Sequence, residues 1–387
     1  MTAWTTPAPR RPKERIAIVM PLGERRGGAE QCLRDLVASP AARSADVHVF
    51  FLQPGPLVGE LAALGARVAV VPAGRLRKPH RVALTVTRLA RALRVSGAGT
   101  VLAWMAKAQV YAGPAAALAG IPSVWFQHGM PDPPGLLDRI ATLMPATSVV
   151  ACSESAARAQ ARLWPRRPTV AVHPGVDLSR FAPTKLPSRT EARRLLGLPV
   201  TGPIVGTVGR LQRWKGMHVL LEAFPAVLRQ HPQAHCLVVG GPHALEPDVP
   251  ELLSRRAEAL GIGDRVIMAG ATDDVPLWMQ AMDVFVHAAD REPFGLVVVE
   301  AMALGKPVVA GAEGGPSEII TPGRDGKQVP FEDARALADA VLAYLSDAPA
   351  AAAIGAAARM RATEFSTDRM ARRLLDALAR GSPSTGG

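Results

Sequence analysis

The stretch RIAIVMPLGERRGGAEQCLRDLVAS, residues 15–39, decides the fold. Residues 15–21 predict a buried strand, and residues 27–39 predict a helix that opens with two glycines. Helical segments separate most of the strand-like runs that follow, which are DVHVFFL (46–52), RVAVVP (67–72), TVLAW (100–104), PSVWFQHG (122–129) and SVVACS (148–153). This alternation predicts a parallel, doubly wound α/β sheet.

A second alternation follows a Pro-rich passage from Trp164 to Pro187, which predicts a boundary and a hinge. Further strands are predicted at PIVGTVGRL (203–211), AHCLVVGG (234–241), RVIMAG (265–270), VFVHAA (284–289) and KPVVAGAEGG (306–315). Helices are predicted at 216–230, 250–261, 275–282 and through 334–380. We therefore expect an N-terminal domain over 15–180 and a C-terminal domain over 181–365, with a ligand cleft at the carboxyl ends of their strands.

Composition indicates a globular protein of a reducing compartment. The chain has 387 residues, of which 48% are hydrophobic, so two sizeable cores are expected. Three scattered cysteines argue against a disulfide framework or a zinc site and predict a cytoplasmic location. Residues 1–14 lack an apolar core and predict a loose leader. Residues 108–131 hold no Asp, Glu, Lys or Arg and predict a buried helix followed by a strand, with a membrane span as the alternative.

Positive charge is concentrated in the N-terminal half. Residues 1–180 hold 23 Lys and Arg against 10 Asp and Glu, a net charge of +13, and the remainder carries −1. The segment 75–94 alone has seven Arg or Lys at partly helical spacing. It predicts either a solvated helix face or a surface attracted to anionic lipid or an anionic acceptor, with weak, peripheral membrane association. Aromatic residues are only 4% and do not alternate with basic ones, which argues against nucleic acid as a partner.

Two candidate site motifs follow strands of the N-terminal half. Gly27 and Gly28 open a helix after the first strand, so the backbone there can approach an anionic ligand closely. An ordinary strand-to-helix turn is the alternative, because the motif is neither a G-x-G-x-x-G fingerprint nor a P-loop. His128 follows the strand PSVWFQ and can contact a substrate oxygen there, or it can be a satisfied loop histidine.

Two further motifs follow strands of the C-terminal half. Arg210 and Lys215 lie in a glycine-flanked loop and suit the two phosphates of a diphosphate, although a solvated loop is the alternative. Glu292 and Glu300 flank a Phe-Gly-Leu turn and a VVV run that favours a strand by propensity but fits a helix ending at Gly305. If the run is helical, carboxylates and free N–H groups together form a set that binds hydroxyls, as in a sugar nucleotide. The sequence contains no Asp-x-Asp, G-x-S-x-G or H-E-x-x-H motif.

Together these motifs resemble the retaining glycosyltransferases of family four, which have the GT-B fold. The resemblance covers roughly residues 15–370 and rests on Glu292 and Glu300 in an E-x7-E arrangement, and on GGAE (27–30), HG (128–129), HPGVD (173–177), VGRLQRWKG (208–216) and GKPVVAGAEGGPSEII (305–320). It implies two Rossmann-like domains, with the acceptor mainly on the first and the sugar nucleotide mainly on the second. It also implies a last helix, over 366–380, that returns to the first domain. No cofactor and no metal ion are implied, because the sugar nucleotide is a substrate.

The resemblance also implies roles for individual residues. Arg210 and Lys215 hold the diphosphate, and Gly28 with its neighbour Gly27 approaches it from the other domain. Glu292 and the backbone of Phe294, Gly295 and Leu296 hold the hydroxyls of the donor sugar. Glu300 holds the ribose. His128 contacts the donor sugar and lies close to the reacting centre. The catalytic set is thus His128, Arg210, Lys215 and Glu292, and a hydroxyl of the acceptor attacks the face that the leaving diphosphate occupied.

The acceptor and the hexose are less constrained by the sequence. The resemblance implies a UDP-linked hexose, glucose or N-acetylglucosamine, with the base bound by backbone groups around 272–275. A small polar acceptor such as an aminocyclitol of antibiotic biosynthesis would need carboxylates near His128, and Glu24, Asp132 and Asp290 are the candidates. A lipid or cell-envelope acceptor is the alternative within the same class. Two alternatives lie outside the transferase class, a sugar-nucleotide epimerase and a non-catalytic sugar-nucleotide-binding protein.

Overall fold

The computed structural model describes residues 15–24, 27–74 and 76–381. The leader predicted over 1–14 lies outside these residues. The described chain forms two all-parallel β-sheets, one of seven strands and one of six, and the predicted α/β class is confirmed. Successive residues of a strand face opposite sides of each sheet, as expected for a sheet covered by helices on both faces. In the first strand, Ile16 and Ile18 join one apolar cluster, and Ala17 and Val19 join another.

The first sheet has the strand order β3-β2-β1-β4-β5-β6-β7. Its strands are β1 (Arg15–Met20), β2 (Asp46–Phe51), β3 (Arg67–Val70), β4 (Thr100–Trp104), β5 (Ser123–Gln127), β6 (Ser148–Ala151) and β7 (Thr169–Ala171). Its helices are α1 (Gly28–Ala38), α2 (Pro56–Ala63), α3 (Pro79–Ser96), α4 (Met105–Ala119), α5 (Leu136–Leu143) and α6 (Glu154–Ala161). The order reverses beside β1, so β1 and β4 flank the crevice at which such sheets bind ligands.

The second sheet has the strand order β10-β9-β8-β11-β12-β13. Its strands are β8 (Ile204–Val208), β9 (His235–Val239), β10 (Val266–Gly270), β11 (Val284–His287), β12 (Val308–Gly311) and β13 (Lys327–Val329). The helices that follow the first sheet are α7 (Arg189–Leu195), α8 (Met217–Gln230), α9 (Val249–Ala259), α10 (Val275–Gln280), α11 (Leu296–Ala303), α12 (Pro316–Ile319), α13 (Ala334–Ser346), α14 (Ala348–Ala362) and α15 (Thr367–Gly381). The reversal falls between β8 and β11, which places their carboxyl ends beside the second crevice.

The chain passes between the two sheets twice, and the two passages are hydrogen-bonded to each other. The Val176 N–H donates to the Phe365 carbonyl at 2.9 Å, and the Thr367 N–H donates to the Val176 carbonyl at 3.1 Å. Gly175 makes the close approach possible, because a Cβ at this position would lie 2.4 Å from the Thr367 Cα. Beyond this double crossing, α15 packs on the first sheet's helix α1, where the Cys32 Sγ lies 3.2 Å from the Met370 Sδ.

Several predicted elements agree with the structure and two short strands were missed. The uncharged run 108–131 is a buried part of α4 followed by β5, as predicted. The strand β7 lies inside the passage that was predicted to be a hinge, and β13 was not predicted. Each has three residues, too few for an alternating pattern to register. Within the described part of the chain, no single helix is long and apolar enough to cross a membrane, and only the pair 334–346 and 348–365, bent by 105°, reaches that length and composition.

Candidate active site

The predicted site residues follow the carboxyl ends of strands in both sheets, and the structure brings several of them together across the two domains. Gly27 and Gly28 stand at the start of α1, directly after the loop that leaves β1. A methyl group on Gly28 would lie 2.8 Å from the Leu296 Cδ1, and one on Gly27 would lie 3.6 Å from the Arg210 Cζ. The N-terminal glycine turn therefore faces the predicted diphosphate and sugar residues of the second domain so closely that a side chain on Gly28 would clash with Leu296.

Lys215 and Glu292 form a buried ion pair at the carboxyl ends of β8 and β11. The Lys215 ammonium lies 2.5 Å from the Glu292 Oε2, and each side chain is 11% exposed. The same carboxylate oxygen lies 3.1 Å from the Nε2 of His287, the last residue of β11. Burial alone would raise the pKa of Glu292, but Lys215 and His287 together lower it from 4.5 to about 2. Glu292 is therefore held as a carboxylate, which accepts hydrogen bonds.

A tight turn places Lys215 beside Glu292. Gly216 has a φ of 68°, a left-handed conformation that favours glycine, and it both ends the turn Arg213–Lys215 and begins α8. A Cβ on Gly216 would overlap the Ala288 carbonyl oxygen at 1.8 Å, so the turn is pressed against the end of β11. The Asp290 N–H, in the loop after β11, donates to the Trp214 carbonyl at 2.8 Å and stabilises the same contact. The Lys215 ammonium also lies 4.1 Å from the centre of the Trp214 ring.

The Phe-Gly-Leu turn opens a helix, so the VVV run is helical despite its β propensity. Gly295 caps α11 with a φ of 101°, and Gly305 lies beyond its end with a φ of 70°. The Phe294 ring is 3% exposed and stacks on the His173 ring at 5.4 Å between centroids. Because the ring is buried, the turn presents backbone groups to the cleft. The Glu292 carbonyl also accepts from the Gly315 N–H at 2.7 Å, which joins this turn to the second glycine-rich loop.

Glu300 lies deeper in α11, against the N-terminal domain and the hinge. Burial raises the pKa of Glu300 from 4.5 to about 7, with Asp35 of α1 raising it and Arg180 lowering it. Burial also raises the pKa of Asp35 from 3.8 to about 6. The Arg180 guanidinium donates to the Asp273 carbonyl at 2.8 Å, which links the hinge to the loop that precedes α10. The predicted ribose residue is therefore grouped with a second carboxyl and a hinge arginine, apart from the Lys215–Glu292 pair.

His128 is an uncharged imidazole packed between aromatic rings. Its ring centroid lies 4.6 Å from that of Trp104 and 4.1 Å from that of Phe126. Its Nε2 is buried and has no hydrogen-bond partner among the residues that the structure describes. Burial lowers the pKa of His128 from 6.5 to about 3, so the ring is neutral at physiological pH. A neutral imidazole with a free ring nitrogen can donate to, or accept from, a hydroxyl of a bound sugar.

Two of the three predicted acceptor residues come together, around an arginine that the sequence analysis did not single out. The Arg291 Nε donates to the Asp290 Oδ1 at 3.2 Å, and this hydrogen bond, with the charges of Asp290, Asp132 and Glu313, raises the pKa of Arg291. Arg291 has a φ of 37°, a strained conformation of the kind that clusters at functional sites. Asp132 comes from the loop after β5 and the others from loops after β11 and β12. Glu24 lies in the exposed loop between β1 and α1.

The sequence analysis missed contacts that join distant segments. His287 carried a usable signal, because it is a histidine at the end of a buried strand, five residues before Glu292. His173 and Glu318 each belong to a motif that the sequence analysis quoted without giving the residue a role, and Asp35 and Arg180 had no local signal. No group of three or more His, Cys, Asp or Glu side chains in the described ranges is arranged to hold a metal ion. The prediction that the protein needs neither metal ion nor cofactor stays a prediction.

Comparisons with known families match the two domains separately. The family described as Glycosyltransferase Family 4 matches residues 26–180, and the family described as Glycosyl transferases group 1 matches residues 188–361. A D-inositol 3-phosphate glycosyltransferase of Corynebacterium urealyticum is 36% identical over 209 residues, which are 53% of this chain and 49% of the relative. The lipopolysaccharide core biosynthesis mannosyltransferase LpsB of Rhizobium meliloti is 36% identical over 211 residues, 53% of this chain and 58% of the relative. The chain thus spans about half the length of these curated relatives.

Solved structures match nearly the whole chain. The Anabaena protein Alr3699/HepE, solved in complex with UDP and glucose, has a TM-score of 0.83 and 26% identity, over 95% of this chain and 100% of that one. A glycosyltransferase from Rickettsia africae has a TM-score of 0.85 at 21% identity, over 96% of this chain and 100% of that one, and it shows the fold alone. These neighbours and the two sheets confirm the predicted architecture of two Rossmann-like domains facing a cleft.

Proposed function

Because the chain joins a Glycosyltransferase Family 4 domain to a Glycosyl transferases group 1 domain on the GT-B fold, we propose that it is a retaining hexosyltransferase. Its donor is a nucleoside-diphosphate sugar, UDP-linked and carrying glucose or N-acetylglucosamine. The observation that carries the proposal is the buried Lys215–Glu292 pair, placed where Arg210 and the glycine turn 27–28 converge from both domains. The Anabaena neighbour with bound UDP and glucose supports this choice of donor.

In the proposed complex the donor lies between the two glycine-rich segments. Arg210 and Lys215 bind the diphosphate, and Gly28 allows the backbone of α1 to approach it without a side chain in between. The Glu292 carboxylate, already ionised, accepts from the sugar hydroxyls. The backbone of the turn 294–296 supplies donors to the same sugar, because the Phe294 ring is turned into the core. Glu300 binds the ribose hydroxyls, and hydrogen bonds from these hydroxyls would stabilise its ionised form against the burial that raises its pKa.

The proposed reaction breaks the C1–O bond to the diphosphate and forms a C1–O bond to the acceptor hydroxyl on the same face. Arg210, Lys215 and backbone N–H groups stabilise the negative charge that develops on the leaving diphosphate, as preorganised electrostatics. A diphosphate oxygen takes the proton of the acceptor hydroxyl. The lowered pKa of Glu292 argues against a general-acid role, which favours this scheme over the two-carboxylate scheme of glycoside hydrolysis. His128 contacts the donor sugar beside the reacting carbon as a neutral hydrogen-bonding group.

We propose a small polar acceptor such as an aminocyclitol, as in antibiotic biosynthesis. The charges of Asp290, Asp132 and Glu313 all act on Arg291, so this group of side chains has a net negative charge that suits amine-bearing rings. The relatives named D-inositol 3-phosphate glycosyltransferase carry a cyclitol in their name, which makes an inositol phosphate the competing acceptor, with Arg291 facing its phosphate. The three buried free cysteines support a cytoplasmic location as part of the proposal.

A lipid or cell-envelope acceptor is the second candidate, and the surface of α3 favours it. Arg81, Leu84, Arg88 and Arg91 are all exposed on this helix, and Leu84 is 49% exposed. A basic helix face with a protruding leucine suits the surface of an anionic membrane. The Rhizobium relative named as a lipopolysaccharide core mannosyltransferase is consistent with such an acceptor. In this version the enzyme is peripheral to the membrane.

Two functions of other classes stand against transfer, a sugar-nucleotide epimerase and a non-catalytic binding protein. A thermal-shift panel of sugar nucleotides identifies the donor first, and mass spectrometry of products with aminocyclitols, inositol phosphate and lipid acceptors then identifies the acceptor. Transfer predicts that nucleoside diphosphate and a glycosylated acceptor appear in equal amounts. Interconversion of free sugar nucleotides without an acceptor would show that the protein is an epimerase and not a transferase. Binding with no release of nucleoside diphosphate, from any donor with any acceptor, would replace it by the binding protein.

A further inference from the structure

Glu318 is a side chain of the second domain that is hydrogen-bonded almost entirely to the first. Its Oε2 accepts from the Glu154 N–H at 2.8 Å, and its Oε1 accepts from the Ser155 N–H at 2.8 Å. The Nε2 of His173 lies 3.0 Å from the same Oε2. The carboxylate is only 14% exposed. One carboxylate of α12 thus binds the first two N–H groups of α6 and a histidine beside the hinge, and we call these contacts the Glu318 clasp.

The chemistry of the clasp requires the ionised carboxylate. The first N–H groups of a helix lack partners within the helix and carry partial positive charge, so an anion there is stabilising. Burial alone would raise the pKa of Glu318, but His173 and the N–H groups of α6 lower it below its ordinary value. Ser153 caps the same helix independently, through a hydrogen bond from the Ala156 N–H to its Oγ at 3.0 Å. Loss of the clasp therefore leaves α6 capped and removes mainly one of the links between the domains.

The clasp is continuous with the loops of the candidate active site. Glu318 follows the glycine-rich loop whose Gly315 N–H donates to the Glu292 carbonyl at 2.7 Å. On the first domain, the His173 ring stacks on Phe294, two residues after Glu292. Behind Glu318, the Arg361 guanidinium donates to the carbonyls of Glu318 and Ile319 at 2.9 and 3.0 Å. The carboxylate is therefore held rigidly between the Glu292 loop and the domain that carries His128.

We propose that Glu318 is a positioning residue, which holds the N-terminal domain at the orientation in which His128 and the acceptor meet the donor bound around Glu292. This inference rests on the proposed transferase function. Under this proposal, binding of the nucleotide and transfer of the sugar depend on different parts of the molecule. Nucleoside diphosphate binds to residues that lie mainly on the second domain, whereas transfer of the sugar requires the correct relative orientation of both domains.

Two variants break the clasp from opposite sides. Glu318→Gln keeps the size of the side chain and removes its charge. Glu154→Pro removes one donor N–H at the first residue of α6, where proline fits a helix, and Ser153 is already extended with a φ of −156° as the residue before proline requires. Glu154→Ala is the matched control, because it removes the same exposed side chain and keeps the N–H. The double variant Glu318→Gln/Glu154→Pro tests whether both changes act through one interaction.

The kinetic experiment measures nucleotide binding, as the Kd for UDP, separately from transfer, as kcat. We expect Glu318→Gln and Glu154→Pro each to lower kcat about tenfold or more while the Kd for UDP changes less than about twofold. Glu154→Ala should match the unsubstituted protein, and the double variant should fall little further than the worse single one. Unchanged kcat in both single variants would overturn the proposal. A fall in UDP affinity that parallels the fall in kcat would also overturn it, because it would indicate general damage to the second domain.

A distance measurement tests the clasp without any assay of transfer. Spin labels on Arg88→Cys of α3 and Glu258→Cys of α9 report the separation of the domains, because both positions are exposed and the three native cysteines are buried. We expect a narrow distance distribution in the labelled protein and in Glu154→Ala, and a broader one in Glu318→Gln and Glu154→Pro. If the distribution broadens and no transferase activity is found with any donor, the clasp stands and the proposed function fails. Equal widths in all four proteins would overturn the clasp.

Discussion

The ammonium of Lys215 lies 2.5 Å from a carboxylate oxygen of Glu292, 77 residues away in the chain, and both side chains are almost fully buried. The sequence analysis assigned the two residues to separate parts of a ligand, the diphosphate and the sugar hydroxyls. In the structure they form one electrostatic unit, so a substitution of either residue changes the state of the other. Each variant at this pair must therefore be interpreted with its partner in mind.

Lys215→Ala should weaken the binding of nucleoside diphosphate. If the ammonium makes a charge-assisted hydrogen bond to the diphosphate, its loss costs roughly 1.5–3 kcal/mol. Calorimetric titration with UDP measures the change, and about tenfold or more weaker binding is expected. Arg213→Ala is a suitable control, because that exposed neighbour in the same turn is paired with Glu246 and Asp248 rather than with Glu292. Equal affinity in Lys215→Ala and the unsubstituted protein would remove Lys215 from the donor site.

Glu292→Gln should impair use of the donor sugar more than it impairs binding of nucleoside diphosphate. The substitution keeps the shape of the side chain and removes the charge that accepts from sugar hydroxyls, while the Lys215 side chain remains present to contact the diphosphate. Kinetics with the sugar nucleotide and titration with UDP, carried out on the same preparation, measure the two effects. A loss of UDP affinity as large as the loss of kcat/KM would contradict the division of roles within the pair.

Glu300→Gln should stabilise the ligand-free protein at alkaline pH and weaken its binding of nucleotide. The folded pKa of Glu300 is about 7 and its ordinary value is 4.5. Because the folded state holds the proton more tightly, this group favours folding below about pH 4.5, and that contribution to the free energy of unfolding is lost as the pH rises through 7. Glutamine stays neutral, so the excess stability of the variant should grow from pH 5 to pH 8 in thermal denaturation. A pH-independent difference would show that the carboxyl is not buried as described.

The sequence and the structure agree where a local pattern carries the information. The strand β1 and the helix α1 follow from an apolar run and a pair of glycines, because burial and helix initiation are decided by neighbours in the chain. The VVV run of α11 is ambiguous from the sequence because valine favours strands, and the structure makes it helical, with Gly295 at a φ of 101° before its first turn and Val298 and Val299 buried in the core. The Glu318 carboxylate meets the Glu154 N–H across 164 residues, and no local pattern encodes such a contact.

Charge reversal on α3 distinguishes the two acceptor classes. Arg88→Glu/Arg91→Glu changes the net charge of the exposed helix face by four units and leaves the buried face of α3, with Leu89 and Leu93, unchanged. If this surface binds an anionic membrane, co-sedimentation with vesicles containing phosphatidylglycerol should fall, while recovery with neutral vesicles stays low for both proteins. Equal recovery of the unsubstituted protein with neutral and anionic vesicles would end the membrane version of the proposal.

His128→Phe should lower kcat without weakening the binding of UDP. Phenylalanine keeps a ring against Trp104 and Phe126 and removes only the ring nitrogens, whose Nε2 is unpartnered among the described residues. Loss of one preorganised hydrogen-bonding group costs about 10²–10³ in kcat. Because the folded pKa of His128 is about 3 and the unfolded value 6.5, the histidine destabilises the fold as the pH falls from 6.5 toward 3. His128→Phe should therefore be the more acid-stable protein and the slower enzyme, and a variant that keeps full kcat would exclude His128 from the reacting centre.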